Sequence, residues 1–492
     1  MRATWRPWLE RAAERWPNVE AFEGADRTLD FATLHAQSSS LARKLLALGL
    51  RPGDRVATFA TPSAGFVEIL HAAQLARLTL VPLNERLQPD ELARLLTHAA
   101  PAALFYEAGT EALATVVRDH RAQAALITAT VLATVPPSSS VLPVASPDDV
   151  LTIVYTSGTT GAPKGVRLSN ASYEAGARAS TARLGCRPAD RWLATMPLCH
   201  VAGLAILARA ALAGMTVVPQ HFRADLVDHA LRHGHIAFVS LVPTMLAMLL
   251  DESGTVAYPA SLRAVVLGGG RLPAALVARA AARGLPLIAS FGMTETAAQV
   301  TSSHAGDAAA HPGSAGHPLD GVEVAIDAAD PSGVGEIVVR GSQVCAGYHR
   351  APELSAQALR DGWLHTGDLG RLDGDGRLWV EVRRSDLIVT GGENVHPEEV
   401  EQVLAAHAAV ADACVYALDD EHWGQRVAAA VVPRSAAAFD ADALRAWCRA
   451  RLAAYKVPRD IVVVESLPRT TSGKLERHLL AAPGTRPAGA HE

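Results

Sequence analysis

Apolar residues recur along this chain in two rhythms that take turns. Short continuous runs, the mark of strands buried on both faces, alternate with stretches of helical period. Residues 8 to 50 carry helical periodicity, for example Leu34, Leu41, Ala42, Leu45 and Leu48, ending at Gly49. The pattern then predicts strand Arg55–Thr61, helix Ala64–Arg77, strand Leu78–Pro82, helix Asp90–Ala99 and strand Ala103–Tyr106. Strand alternating with helix implies a parallel sheet covered on both faces. A polar, Pro/Ser-rich connection fills 134–149, and the alternation resumes with apolar runs at Val150–Val154, Ile236–Leu241, Leu262–Leu267 and Leu287–Ser290.

Between 318 and 381 the pattern becomes all-β, with runs at Val322–Ile326, Gly335–Arg340 and Leu378–Val382 separated by Gly/Asp turns. From about Arg384 it changes again. Strand Leu387–Thr390, a turn at Gly391–Asn394, helix Pro397–His407, strands Ala411–Leu418, Val427–Pro433 and Ile461–Glu465, and helix Ala441–Leu452 make a compact α+β unit. The Pro/Gly/Ala-rich tail after Leu480 is expected to be disordered. The expected fold is therefore α/β: a large N-terminal part of doubly covered, largely parallel sheets with a small β-barrel-like portion, followed by a small α+β C-terminal part.

Composition narrows this picture. At 492 residues the chain exceeds one core. An apolar content of 49% is ample for packing, and a net charge of −5 with mixed signs gives no electrostatic case for nucleic acid or an anionic membrane. The longest apolar stretch, Val201–Pro219, contains Arg209 and two glycines, so it reads as a buried helix leading into a strand rather than a membrane insertion. Five cysteines without metal-finger spacing fit reduced thiols, and the charged, Trp-bearing N-terminus lacks a signal-peptide core. A cytoplasmic location is expected.

The chemistry is concentrated where strands end. After Val154 comes Tyr155-Thr-Ser-Gly-Thr-Thr-Gly-Ala-Pro-Lys-Gly165, a loop holding Thr156, Ser157, Gly158, Thr159, Thr160 and Lys164. Glycines free backbone N–H groups to point inward, while hydroxyls and a lysine add donors and charge; such a loop can cradle a polyphosphate. It is not the common P-loop, because Pro163 stands where that pattern has Gly. Alone, it reads equally well as a flexible surface loop. Two more strands stop at Gly268-Gly269-Gly270 and at Phe291-Gly292-Met293-Thr294-Glu295-Thr296. Ligands of open α/β sheets bind at the carboxyl ends of strands, so these ends suggest one shared crevice.

Tyr155–Gly165, Phe291–Thr296, Gly335–Gly341, His365-Thr366-Gly367-Asp368, Arg383–Glu393 and Pro468–Lys474 resemble, in order and spacing, the core motifs of adenylate-forming enzymes, the AMP-binding family that includes acyl-CoA synthetases. The resemblance spans nearly the whole chain. It implies a large domain 1–382, a hinge 383–386 and a small mobile domain 387–492. It also implies a two-step reaction in which a carboxylate attacks the α-phosphate of ATP and a thiol, CoA, then displaces AMP. By the same resemblance Thr156–Lys164 would hold the β- and γ-phosphates. Gly269, Gly270, Phe291 and Gly292 would form a slot for adenine, and Thr294 would contact the α-phosphate. Glu295 would bind Mg²⁺, and Asp368 would accept the ribose hydroxyls beside Arg383. Lys474 would stabilise developing charge, His200 would wall the acyl pocket from the thiol tunnel, and Gly391-Gly392 would face the site in the second step. Each residue has a plainer reading: Glu295 a first-turn helix acid, Asp368 a turn former, Lys474 a solvated loop lysine, His200 a core histidine.

The hinge departs from the family pattern, with Val382 before the arginine and Ser385 two after it. Segments such as Leu198–Leu204, Gly214–Val218, Gly313–Gly316 and His422–Gln425 most resemble ligases of an acid with two carboxylates, only one of which is activated. The second carboxylate needs a donor, and Arg209, Gln299, Thr301, Ser302 and Ser303 are candidates. For Arg209 the plainer reading is a helix arginine paired to a surface acid. The alternatives are a medium-chain or aromatic acyl-CoA synthetase, or a stand-alone amino-acid adenylation enzyme. The latter would show an Asp before the cavity, and none is evident. The expected partners are a small carboxylic acid, ATP and CoA; a homo-oligomer is allowed.

Overall fold

The structure is a computed structural model, and it describes residues 5–25, 27–106, 125–136, 141–156, 164–252, 257–270, 272–383, 387–434, 439–468 and 477–480. Ser157, Gly158, Thr159, Thr160 and Lys474 lie outside the described residues, as does 384–386. By its internal packing the chain divides into two units: one of 1–85, 96–155 and 165–382, the other of 86–95, 156–164 and 383–492.

Two sheets dominate the first unit. One has six strands in the order Ala125–Thr128, Ala103–Tyr106, Arg55–Phe59, Thr79–Leu83, Val150–Thr156, Lys164–Ser169, and the pairings among the first five are parallel. The other has nine, in the order His317–Pro318, Thr301–Ser302, Leu287–Phe291, Ala264–Leu267, Phe238–Leu241, Arg191–Ala194, Thr216–Pro219, Glu20–Glu23, Thr28–Asp30. Its five central pairings are parallel, from Phe22↔Val217 across to Val265↔Leu287.

The continuous apolar runs are explained by what each face meets. Side chains alternate across a strand. Trp192, Phe238, Ala264 and Val266 enter a cluster with Trp8, Phe31 and Phe66. Their neighbours Leu193, Val239, Val265 and Leu267 enter another with Leu246 and Leu249 of helix Pro243–Glu252 and Leu276 of helix Ala274–Ala281. Both faces are covered, so both must be apolar. The first cluster also takes Val56 and Leu80 from the six-stranded sheet, which joins the two sheets through shared helices. Helix starts are set by side-chain caps: Asp30 accepts from Thr33 N at 2.7 Å and Ser63 from Phe66 N at 3.1 Å.

The all-β portion is a five-stranded sheet of Val322–Asp327, Gly335–Gly341, Trp363–Leu372, Leu359–Arg360 and Leu378–Arg383. In the second unit Glu393–Val395, Ile388–Thr390, Gly424–Pro433 and Val410–Asp420 form an antiparallel sheet, with Asp460–Val463 added parallel to Gly424–Pro433. Helices Pro397–Ala405 and Ala441–Arg449 cover one face of it. In the same unit Lys456, 4% exposed, places Nζ 2.6 Å from Glu91 Oε1 and 2.7 Å from Glu399 Oε1.

Three segments differ from expectation. Within 8–50 the helical rhythm is broken by strands Glu20–Glu23 and Thr28–Asp30, which are too short for period 2 to show. Strand Trp363–Leu372 has little alternation, because Thr366, Gly367 and Asp368 occupy its middle. Glu393 and Asn394 are strand rather than turn, pairing with Thr390 and Val389. No described helix is long and apolar enough to cross a membrane. All five cysteines are free thiols, and burial pushes Cys186 and Cys345 up to about 12 and Cys448 to about 11.

Candidate active site

The Gly268–Gly270 and Phe291–Thr296 stretches sit at the carboxyl ends of neighbouring strands, while Thr156 ends a strand of the other sheet. Ala264–Leu267 and Leu287–Phe291 run parallel with Leu267 beside Ala289, so Gly268–Gly270 and Phe291–Gly292 emerge side by side. Ser290 Oγ donates to Leu267 O at 3.1 Å and ties the two ends together. Gly269 has φ +78°. At Gly292 a Cβ would fall 1.6 Å from Ala298 O, so backbone packs on backbone and only glycine fits. Gly269 and Gly270 are exposed, whereas the Phe291 ring is buried with Val300, Ile337, Leu364 and Leu378. Phe291 therefore offers a ligand its backbone, next to two bare glycines, a surface suited to a flat ring.

Thr294, Glu295 and Thr296 form one turn of 3₁₀ helix, and Glu295 is 8% exposed. Its Oε1 accepts from the Tyr348 hydroxyl at 2.8 Å, and its carbonyl accepts from Cys345 N at 2.8 Å. Burial, then the adjacent carboxylate, push the Tyr348 phenol far above its ordinary range, so it remains a donor. The setting fits a magnesium ion: one largely buried carboxylate is the protein share that ion takes beside phosphates and water.

Asp368 is 7% exposed within strand Trp363–Leu372. The backbone leading into it is fixed. Asp368 N donates to Thr366 Oγ1 at 3.1 Å, Thr366 Oγ1 donates to Ile337 O at 2.7 Å, and Gly367 N donates to Glu336 Oε1 at 3.0 Å. Asp368 thus lies inside a strand rather than at a turn, with its carboxylate nearly buried.

Thr156 ends strand Val150–Thr156 and Lys164 opens strand Lys164–Ser169, so the loop between them has rigid roots. Tyr155, just before it, is held by His98, whose Nδ1 lies 2.8 Å from the phenol oxygen. His200 is half-buried at the N-cap of helix Val201–Ala213, with no side-chain cap bond. Gly391 and Gly392, at φ +58° and +85°, turn between strands Ile388–Thr390 and Glu393–Val395. Arg383 closes strand Leu378–Arg383.

The candidates for the second carboxylate separate clearly. Thr301 Oγ1 donates to Ala315 O at 2.7 Å, Ser302 Oγ to Ser303 O at 3.4 Å, and Ser303 Oγ accepts from Ala289 N at 2.9 Å, so these hydroxyls serve the backbone. Arg209 is 3% exposed, not a surface arginine. Its Nη2 donates to Gln299 Oε1 at 2.9 Å, its guanidinium lies 5.2 Å from the Trp192 ring centroid, and no carboxylate among the described residues pairs with it. Burial lowers it to about 10. Arg209 Nε and Gln299 Nε2 are buried without partners. Buried donors normally find acceptors, so these two are exceptions among the described residues. The Tyr348–Glu295 contact was not foreseen from sequence, since one tyrosine among seven carries no signal of its partner.

Comparison with known proteins identifies the family. Residues 9–349 match the model of the AMP-binding enzyme family and residues 399–474 that of the AMP-binding enzyme C-terminal domain. The chain is 37% identical over 493 residues to 2-succinylbenzoate–CoA ligase of Bacillus cereus, covering 98% of both chains. It is similar to the o-succinylbenzoate CoA synthetase double mutant of Bacillus subtilis bound to its product analogue OSB-NCoA: TM-score 0.91, 35% identity, 97% of this chain and 98% of that one. The same enzyme in complex with ATP and magnesium ion gives a TM-score of 0.73 at 35% identity, over 96% and 99% of the two chains.

Proposed function

The chain belongs to the AMP-binding enzyme family, and from that premise we propose that it joins 2-succinylbenzoate to CoA at the expense of ATP, in menaquinone biosynthesis. The choice of acid is supported by the likeness to 2-succinylbenzoate–CoA ligase and by Arg209, a buried cation bonded to Gln299 and without a carboxylate partner among the described residues, which we assign to the carboxylate that is not activated. A monocarboxylic fatty acid would leave it buried and unpaired, a costly state. In the first step a carboxylate oxygen attacks the α-phosphorus and the bond to pyrophosphate breaks. In the second the CoA sulfur attacks the acyl carbon, its proton departs, and AMP leaves.

The residues divide this work by placement. Gly269, Gly270 and the Phe291–Gly292 backbone receive the adenine, Asp368 the ribose hydroxyls with Arg383 beside it, and Thr294 the α-phosphate. Thr156 to Lys164, with Ser157, Gly158, Thr159 and Thr160, hold the outer phosphates. Glu295 would hold Mg²⁺, which when bound neutralises phosphate charge. Lys474 stabilises charge on the transferring oxygens, an electrostatic contribution set in place beforehand. Domains 1–382 and 387–492 turn about 383–386, so that Lys474 serves the first step and Gly391-Gly392 the second, with His200 between acid and thiol. The proposed setting is the cytoplasm.

The deciding experiment is a pyrophosphate-release screen across carboxylic acids with the purified full chain. It should show a preference of at least about a hundredfold for 2-succinylbenzoate over benzoate and fatty acids, the discrimination expected of a site built around one buried donor set. Preference for fatty acids would reject the proposed acid but leave the ligase chemistry standing.

A further inference from the structure

Segment 345–349 crosses between two elements that sequence separates by more than a hundred positions. On one side it pairs with the strand leaving the phosphate loop: His349 N donates to Gly165 O at 2.7 Å, Arg167 N to Gly347 O at 2.9 Å, and Val166 bridges Tyr348 antiparallel. On the other it grips the Glu295 turn twice, through Cys345 N to the Glu295 carbonyl and through the Tyr348 hydroxyl to Oε1, both at 2.8 Å. Tyr348 is itself braced, its N–H donating to Ser355 Oγ at 2.9 Å. The carboxylate and the phosphate-loop strand are thus indexed to one backbone segment.

We infer that Tyr348 is a positioning residue for the carboxylate of Glu295, holding it in the rotamer that meets the phosphate-bound cation. A carboxylate oxygen accepts more than one partner, so the phenol bond and metal coordination are compatible. Without the hydroxyl, Glu295 keeps its backbone place but loses the Tyr348 bond to Oε1. The inference rests on the reading of Glu295 as the magnesium ligand, and the test separates the two.

The test is Y348F in the full chain. The magnesium concentration giving half-maximal pyrophosphate release should rise about tenfold, the order expected when one hydrogen bond to a charged group is lost. At saturating magnesium, kcat should stay within about threefold of the parent, and KM for the carboxylic acid should not move, because Tyr348 acts through Glu295 alone. Calorimetry supplies a second readout: affinity for ATP with magnesium should fall in Y348F, and affinity for ATP in EDTA should match the parent. A merely structural role would move both affinities together. E295Q is measured beside it. If E295Q shifts the magnesium requirement and Y348F does not, the positioning role is overturned and the metal ligand stands. If neither shifts, the metal reading of Glu295 fails as well.

Discussion

Burying the Arg209 guanidinium against an amide and an indole costs the fold several kcal/mol, offset only in part by its bond to Gln299. A position held at such a cost should show a trade between stability and function. Arg209→Met should therefore raise the thermal midpoint, or leave it unchanged, while raising KM for 2-succinylbenzoate about 10- to 100-fold, the loss of a charged hydrogen bond. KM for ATP should stay within about twofold, because among the described residues Arg209 bonds to Gln299 and lies against Trp192, neither of them assigned to the nucleotide. A fallen midpoint with unchanged KM would make Arg209 a structural residue. The sequence identified Arg209 as one of five candidates but could not rank them. Ranking needed the hydrogen bonds: the three hydroxyls look equivalent in sequence until Ala315 O, Ser303 O and Ala289 N are seen to engage them.

Among the elements, the glycine-bearing strand ends were legible because glycine has so few reasons to follow a buried strand. Gly292 shows how strict the reason is. Gly292→Ala would set a methyl 1.6 Å from Ala298 O and must displace the 292–298 loop; we expect a loss of about 2–3 kcal/mol or more and pyrophosphate release down at least tenfold. Gly270→Ala is the contrast. Its methyl would meet only Pro243 at 3.6 Å, so the melting midpoint should hold while KM for ATP rises. Denaturant melts with parallel kinetics on both variants check the pair. Less legible was the second unit's buried triad, because nothing marks Glu91 as the partner of a lysine more than three hundred residues away. Lys456→Met would strand the carboxylates of Glu91 and Glu399 in a buried site and should cost about 3–5 kcal/mol, seen as a lower denaturant midpoint; adding E91Q and E399Q should restore most of it.

For the molecule as a whole, pH is the broadest lever on stability. His71, His349 and His396 are each lowered to about 4, in every case chiefly by burial. Between pH about 4 and the unfolded value near 6.5, the unfolded chain binds protons that the folded chain refuses, so stability is full above that window and is lost as pH falls through it. Glu399 and Glu401, whose carboxyls burial raises, act with the opposite sign and temper the slope. The melting midpoint should fall steadily from pH 6.5 to 4, and His71→Leu, which fills a fully buried site, should flatten that fall by the equivalent of one proton. A profile unchanged in His71→Leu would show that His71 does not titrate in this range. At this scale the parallel sheets and the small α+β part were readable from rhythm, since faces buried on both sides leave continuous apolar runs. What rhythm could not give was the sheet order, because Glu20–Glu23 and Thr216–Pro219 become neighbours only in the fold. Lys474→Ala should slow adenylate formation by about two to three orders of magnitude and spare thioester formation from supplied adenylate. Equal loss of both would reject its role.

Cys186, Cys345 and Cys448 are held by burial as neutral sulfhydryls at physiological pH. A protein that handles a free thiol cosubstrate thereby keeps these three sulfurs from exchanging with it, and Cys199 and Cys414 are shielded by burial, so oxidised coenzyme should find little to form a mixed disulfide with. One practical outcome is that consumption of the coenzyme can be followed with a chromogenic disulfide reagent while the native protein contributes little colour.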